Sequence, residues 1–167
     1  MTVDDLNALG REDFVAVLGW IFEDSPWVAE RTWTSRPFAN LDALHSAMMG
    51  ELARAKRDEQ LALLCAHPDL GTRARISPAS ADEQAGAGLD QLTPPEFEFL
   101  QEMNSAYRKK FGFPFLYAVR GSTKHDILRA LQLRLGALPE EEFDEALRQV
   151  QRIARFRLLE TVQEEMS

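Results

Sequence analysis

A single cysteine, Cys65, in 167 residues leaves no partner for an internal disulfide and excludes a Cys-rich zinc site. No apolar run approaches the ~20 residues that a membrane-spanning helix needs. Basic tracts are missing too. Lys and Arg number 19 against 27 Asp and Glu, a formal charge of −8, so nucleic acid and anionic membranes are poor partners for this surface. The opening MTVDDLNALG has two acids and no basic n-region, which argues against a secretory signal. Glu165-Met166-Ser167 is not a peroxisomal address. Cytoplasm is the expected compartment. Gly86 and Gly88 lack the G-x-G-x-x-G spacing and a preceding strand, so they make no dinucleotide fingerprint. The three histidines show neither HExxH spacing nor a His/Asp/Glu cluster, and no metal site is expected.

What is present reads as helix. Hydrophobic residues are 45% and charged residues 28%, as in a soluble globular protein. The length suits one domain covering 1–167. Thr2-x-x-Asp5 is a capping box that opens a short helix ending at Gly10. Phe14, Val17, Leu18 and Ile21 repeat at helical spacing. Ser25-Pro26 reads as an N-cap followed by an N1 proline, with Val28, Thr32 and Trp33 turned inward. After the break at Arg36-Pro37-Phe38, Asn40 caps a helix whose apolar face is Leu41, Leu44, Met48 and Leu52. A further helix holds Leu61, Leu64 and Cys65 and stops near His67-Pro68, because a residue before proline disfavours the α region. Ser80-x-x-Glu83 begins another helix, ending near Gly86–Gly88. Thr93-Pro94-Pro95-Glu96 opens one with Phe97, Leu100 and Tyr107. FGFPFLYAVRG, from Phe111 to Gly121, reads as an ordered buried connection, since no partner strand exists. Two longer helices close the chain, one with Ile127, Leu128, Leu131 and Leu135, the other from Pro139. The expected fold is an all-α, single-domain bundle of eight or nine helices.

The last helix holds the clearest physical anomaly. At 100° per residue and with Val150 at zero, Phe143 lies at roughly 20°, Leu147 at 60°, Ala154 at 40° and Ile153 at 300°. Arg157 falls at roughly 340°, inside that apolar stripe, whereas Arg152 and Arg155 fall at roughly 200° and 140° on the solvent side. Desolvating a guanidinium costs several kcal/mol, so Arg157 requires an anionic partner, either a structural carboxylate or a ligand. His67 ends a helix, which favours imidazolium, while burial opposes it; the residue is a general acid–base candidate or a capping histidine. His45 shares the face of Leu41 and Met48 and reads as a core or interface residue. His125, in a first helical turn, reads as exposed. Ser80 and Glu83 fit a capping box, yet a helix N-terminus also binds anions, and both readings stand.

Taken together, FVAVLGWIFEDSPWVAERTW with RPF after it, AHPDLG, SADEQAGAGL, FGFPFLYAVRG and IARFRL resemble, in that order and spacing, the 2-oxo-4-hydroxy-4-carboxy-5-ureidoimidazoline (OHCU) decarboxylases of urate degradation. The resemblance covers almost the full length. It implies an all-helical enzyme, usually a homodimer, that uses no metal and no organic cofactor and converts OHCU to (S)-allantoin. It implies that His67 is the catalytic histidine, Glu83 the acid–base carboxyl and Arg157 the substrate arginine. Pro68, Ser80 and Gln84 would line the same pocket, and backbone groups of Phe115, Leu116, Tyr117 and Ala118 would bind ureido and ring atoms. Arg157, His67 and helix-terminal amides would then supply the local positive site that an anionic substrate needs on an acidic protein. Two other classes remain compatible with the pattern: a non-catalytic helical interaction module in which Arg157 and Glu83 form a mere ion pair, and a helical enzyme acting on another small ureide.

Overall fold

The computed structural model describes residues 1–72 and 76–163. Among them it has nine α-helices, one short 3-10 helix and no strand beyond an isolated bridge between Thr2 and Gln163. The all-α expectation holds. The chain divides into two compact units, Met1–Ala66 with the residues from Gln151 onward, and His67–Val150.

The first unit contains α1 (Val3–Asn7), α2 (Arg11–Leu18), α3 (Trp27–Thr32), α4 (Leu41–Arg54) and α5 (Arg57–Cys65). The end of α9 (Pro139–Thr161) completes it. Thr2 and Asp5 form the expected capping box, but α1 already ends at its C-cap Ala8, and Gly10 is the N-cap of α2. Helix α2 stops at Leu18, so Ile21 is buried from the following turn rather than from a helical face. Ser25 is not the cap of α3. Its hydroxyl donates to the Glu23 carbonyl at 2.8 Å, and Pro26 takes the cap position with no side-chain bond. Asn40 does cap α4, accepting from Ala43 N–H at 2.8 Å, and Leu41, Leu44, Met48 and Leu52 are all buried as the spacing requires. On α5 the buried pair is Leu63 and Leu64, whereas Leu61 and Cys65 face solvent. Helix α3 packs against α2 and α4. Asn7 grips Phe38 from both sides, donating to its carbonyl at 2.9 Å and accepting from its N–H at 2.8 Å. That places the Phe38 ring 6.2 Å from Phe14.

The second unit contains α6 (Pro78–Gly86), α7 (Pro94–Phe111), α8 (Lys124–Arg134) and the start of α9. Thr93 caps α7 in a capping box with Glu96, and Gly112 ends the helix in the left-handed conformation, φ +83. The cap of α6 differs from the sequence reading: Ser77, one turn earlier than Ser80, accepts from Ser80 N–H at 3.2 Å, and Pro78 follows it at N1. The connection from Phe111 to Gly121 is irregular and buried, as expected, with Phe113, Phe115, Leu116, Ala118 and Val119 all in the core. Tyr107 sits at its centre, with ring centroids 5.9 Å from Phe113 and 5.4 Å from Phe115. Ile127, Leu131, Phe143, Ala146 and Val150 close this core.

Candidate active site

His67 is the first residue after Ala66, the C-cap of α5, and is only 6% exposed. The loop it begins, through Pro68, Asp69, Leu70 and Gly71, is tied down at successive residues. Arg108 on α7 donates to the Asp69 carboxylate at 3.0 Å. One turn earlier on the same helix, Asn104 donates to the Leu70 carbonyl at 2.9 Å. Gly71 N–H donates to Gln84 Oε1 on α6 at 2.9 Å. Gly71 adopts φ +71, and a Cβ there would lie 2.4 Å from Leu100 Cδ2. Only glycine fits both the left-handed backbone and that approach.

Ser80, Glu83 and Gln84 stand at i, i+3 and i+4 on α6, so they share one face. Ser80 and Gln84 are buried and Glu83 is half-buried. With Ser77 as the cap, Glu83 does not occupy the capping-box position of this helix. The structure thus joins Gln84 to the loop that carries His67 and Pro68. Because Gln84 Oε1 accepts from Gly71, its amide NH2 is the end left to act as a donor.

In the 115–118 segment, Phe115 is fully buried and stacks on Tyr117 at 6.0 Å. Tyr117 OH lies 2.9 Å from Ser122 Oγ. Two of the backbone groups expected to bind ligand already have protein partners. Leu116 C=O accepts from Arg134 Nη1 at 2.6 Å, and Ala118 N–H donates to Gln149 Oε1 at 2.9 Å.

In the first unit, Arg157 is buried as the wheel required, 2% exposed, with Arg152 exposed and Arg155 half-buried on the outer side. Arg155 pairs with Asp42 at 2.6 Å. The carboxylate partner recorded for Arg157 is Glu23, which the sequence reading had not singled out: Nη2 donates to Glu23 Oε1 at 2.8 Å. Its Nη1 donates to the carbonyls of Trp20 and Ile21, both at 3.3 Å. The Trp20 ring lies 5.6 Å from the guanidinium carbon. Glu23 is itself 7% exposed, so the pair is desolvated at both ends. The signal for Glu23 was weak, because a buried arginine demands an acid without saying which of 27 it is.

The other histidines behave as read. His45 Nε2 lies 3.1 Å from the Gln151 carbonyl, and burial lowers its pKa from the ordinary value. His125 is exposed in the first turn of α8. Among the described residues, no group of three or more His, Cys, Asp or Glu is placed to hold a metal ion. No helix among them is long and apolar enough to cross a membrane.

The chain is similar to known proteins over nearly all its length. The family model for OHCU decarboxylase matches residues 7–159. A 2-oxo-4-hydroxy-4-carboxy-5-ureidoimidazoline decarboxylase of Halalkalicoccus jeotgali is 45% identical over 160 residues, 96% of this chain and 91% of that protein. Among solved structures, the crystal structure of (S)-allantoin synthase superposes with a TM-score of 0.78 at 37% identity. That match covers 97% of this chain but 54% of the other, so this chain spans about half its length. The crystal structure of OHCU decarboxylase in the presence of (S)-allantoin gives a TM-score of 0.71 at 25% identity, covering 90% of this chain and 97% of that one. On the family match and on 45% identity over nearly the whole of both chains, the chain belongs to the OHCU decarboxylase family.

Proposed function

We propose that this protein decarboxylates OHCU to (S)-allantoin, with His67, Glu83 and Arg157 as its catalytic side chains. The observation that carries the reading is the 45% identity, across 91% of its length, to a protein named for that reaction. The buried imidazole of His67 on its braced loop supports the reading.

The reaction defines the tasks. The C–CO2 bond breaks and its electron pair passes into the adjacent ring C=N, whose nitrogen takes up a proton. The hydroxyl on the former carboxyl-bearing carbon loses its proton and becomes a ring carbonyl. The neighbouring carbon, which bears the ureido group, gains a proton on one face and becomes the stereocentre. One proton is taken up overall, matching the carboxylate lost as neutral CO2. The protein must hold the C–CO2 bond perpendicular to the ring π system and stabilise the developing charge. His67 hydrogen-bonds the hydroxyl side of the substrate and accepts its proton. Arg157 holds an anionic or carbonyl oxygen by a forked contact. Glu83 and His67 are the two candidate donors to the new stereocentre. Pro68 and Ser80 line the pocket, and the Gln84 amide NH2 meets a substrate acceptor.

Freshly generated OHCU supplies the test. Wild type is expected to outpace its spontaneous decay, and folded His67→Ala to lose at least about 100-fold, in the range of a general acid–base group. Equal rates for the two proteins would remove His67 from the mechanism. A wild type no faster than buffer would end the decarboxylase reading and leave the non-catalytic module or an enzyme of another small ureide.

A further inference from the structure

Two side chains outside the set assigned to the reaction hold the 115–118 segment. Arg134, on α8, donates to Leu116 C=O from Nη1, and its guanidinium carbon lies 4.5 Å from the centroid of the Phe115 ring. Glu142 on α9, 2% exposed, fixes that guanidinium by accepting from Nε at 2.5 Å. The same carboxylate oxygen accepts from Tyr107 OH at 2.5 Å. Tyr107 is fully buried, and its ring meets Phe115 nearly edge-on at 79°. Gln149, also on α9, accepts from Ala118 N–H through Oε1 and donates through Nε2 to Glu145 at 2.8 Å. That second bond settles which end of its amide faces Ala118.

A buried ion pair is commonly replaceable by apolar residues without loss of stability, so packing alone does not call for this one. Its geometric result is a fixed orientation of two peptide groups. In a trans peptide, C=O and N–H point in opposite directions, and both bonds flanking Tyr117 are trans. With Leu116 C=O turned to Arg134, the N–H of Tyr117 turns away. With Ala118 N–H turned to Gln149, the C=O of Tyr117 turns away as well. Among the described residues, neither of these two Tyr117 groups is hydrogen-bonded. Residue 117 therefore carries one donor and one acceptor, both directed away from the side chains that hold its neighbours.

We propose that Arg134 and Gln149 are positioning residues for ureide recognition: by holding Leu116 C=O and Ala118 N–H, they aim the Tyr117 N–H and C=O at an H–N–C=O edge of the ligand. The inference rests on the decarboxylase reading and adds the parts that set the ureide-binding backbone. Neither side chain is a catalytic residue; each acts through the main chain.

The test measures KM and kcat with freshly generated OHCU, and the Kd of (S)-allantoin by calorimetry. Gln149→Met removes the acceptor at similar volume, and Arg134→Lys keeps the charge beside Glu142 but not the forked reach. Both are expected to raise KM and Kd by about tenfold, roughly one hydrogen bond's worth of binding, with kcat little changed because ground state and transition state lose the contact equally. Gln149→Glu combined with Glu145→Gln, which keeps an acceptor for Ala118 N–H and only exchanges the donor and acceptor of the 149–145 bond, is expected to restore KM. A folded Gln149→Met with wild-type KM and Kd overturns the proposal, and it decides alone should Arg134→Lys not fold. Absence of turnover in wild type would instead sink the underlying reading, whereas wild-type turnover with unmoved KM in the variants sinks only the positioning role.

Discussion

Burying a guanidinium costs several kcal/mol unless an acid meets it, and Glu23 meets Arg157 at 2.8 Å where both are almost fully covered. Deleting one partner strands the other. Glu23→Ala is expected to lose about 3–5 kcal/mol of stability, and Glu23→Gln less, because its amide oxygen still accepts from Nη2; urea denaturation checks both. A Glu23→Ala variant as stable as wild type would mean that the pair is not structural. His45 gives a pH signature. Burial lowers its pKa, so the folded protein binds that proton less readily than the unfolded chain. Its neutral form thus contributes stability above the unfolded value near 6.5. That contribution is lost as pH falls below it toward the folded pKa. His45→Gln is expected to flatten this stretch of the stability-versus-pH curve, and an unchanged slope would show that another group governs it. The burial of Arg157 was legible in a helical wheel, because one helix supplies the whole pattern. Glu23 was not, since 134 residues separate the two and such a contact leaves no periodic trace.

At the scale of elements, the loop of His67 depends on one backbone conformation. Gly71→Ala is expected to cost at least about 1–2 kcal/mol for the left-handed residue alone, and more because its Cβ would meet buried Leu100 at 2.4 Å. Gly88→Ala has the same backbone penalty at φ +82 but no heavy atom within 4 Å of the added carbon, so it should lose less. Thermal melts of the two variants compare them directly, and equal losses would remove the Leu100 contact from the argument. Most helices were readable from apolar spacing, α1 and α6 from capping signals instead, and ends were readable where a cap had no competitor, as at Asn40 and Thr93. Ser80 was misread because S-x-x-E fits a capping box at 80–83, while Ser77-Pro78 offers an equally good cap and N1 proline one turn earlier. Ser25 failed similarly: its hydroxyl turns back to the Glu23 carbonyl instead of forward to the helix. The roles proposed for His67, Glu83, Ser80 and Gln84 rest on motif resemblance. The bonds that brace the His67 loop and the 115–118 segment, Asn104 on Leu70 and Gln149 on Ala118, arise from contacts 34 and 31 residues apart that no local pattern announces.

For the whole molecule, α9 contributes residues to both compact units. We expect the chain to unfold as one domain, with calorimetric and van't Hoff enthalpies equal; two resolved transitions would make the units independent domains. The acidic balance, −8 overall, leaves recognition of an anionic substrate to a few cationic groups, so raising salt should weaken binding of OHCU only modestly if those groups are buried. Stereochemistry tests the account most directly. Circular dichroism of allantoin formed from freshly generated OHCU should show, with wild type, a signal of the (S) enantiomer that grows faster than spontaneous decay. Racemic product accumulating at the rate seen in buffer would contradict it.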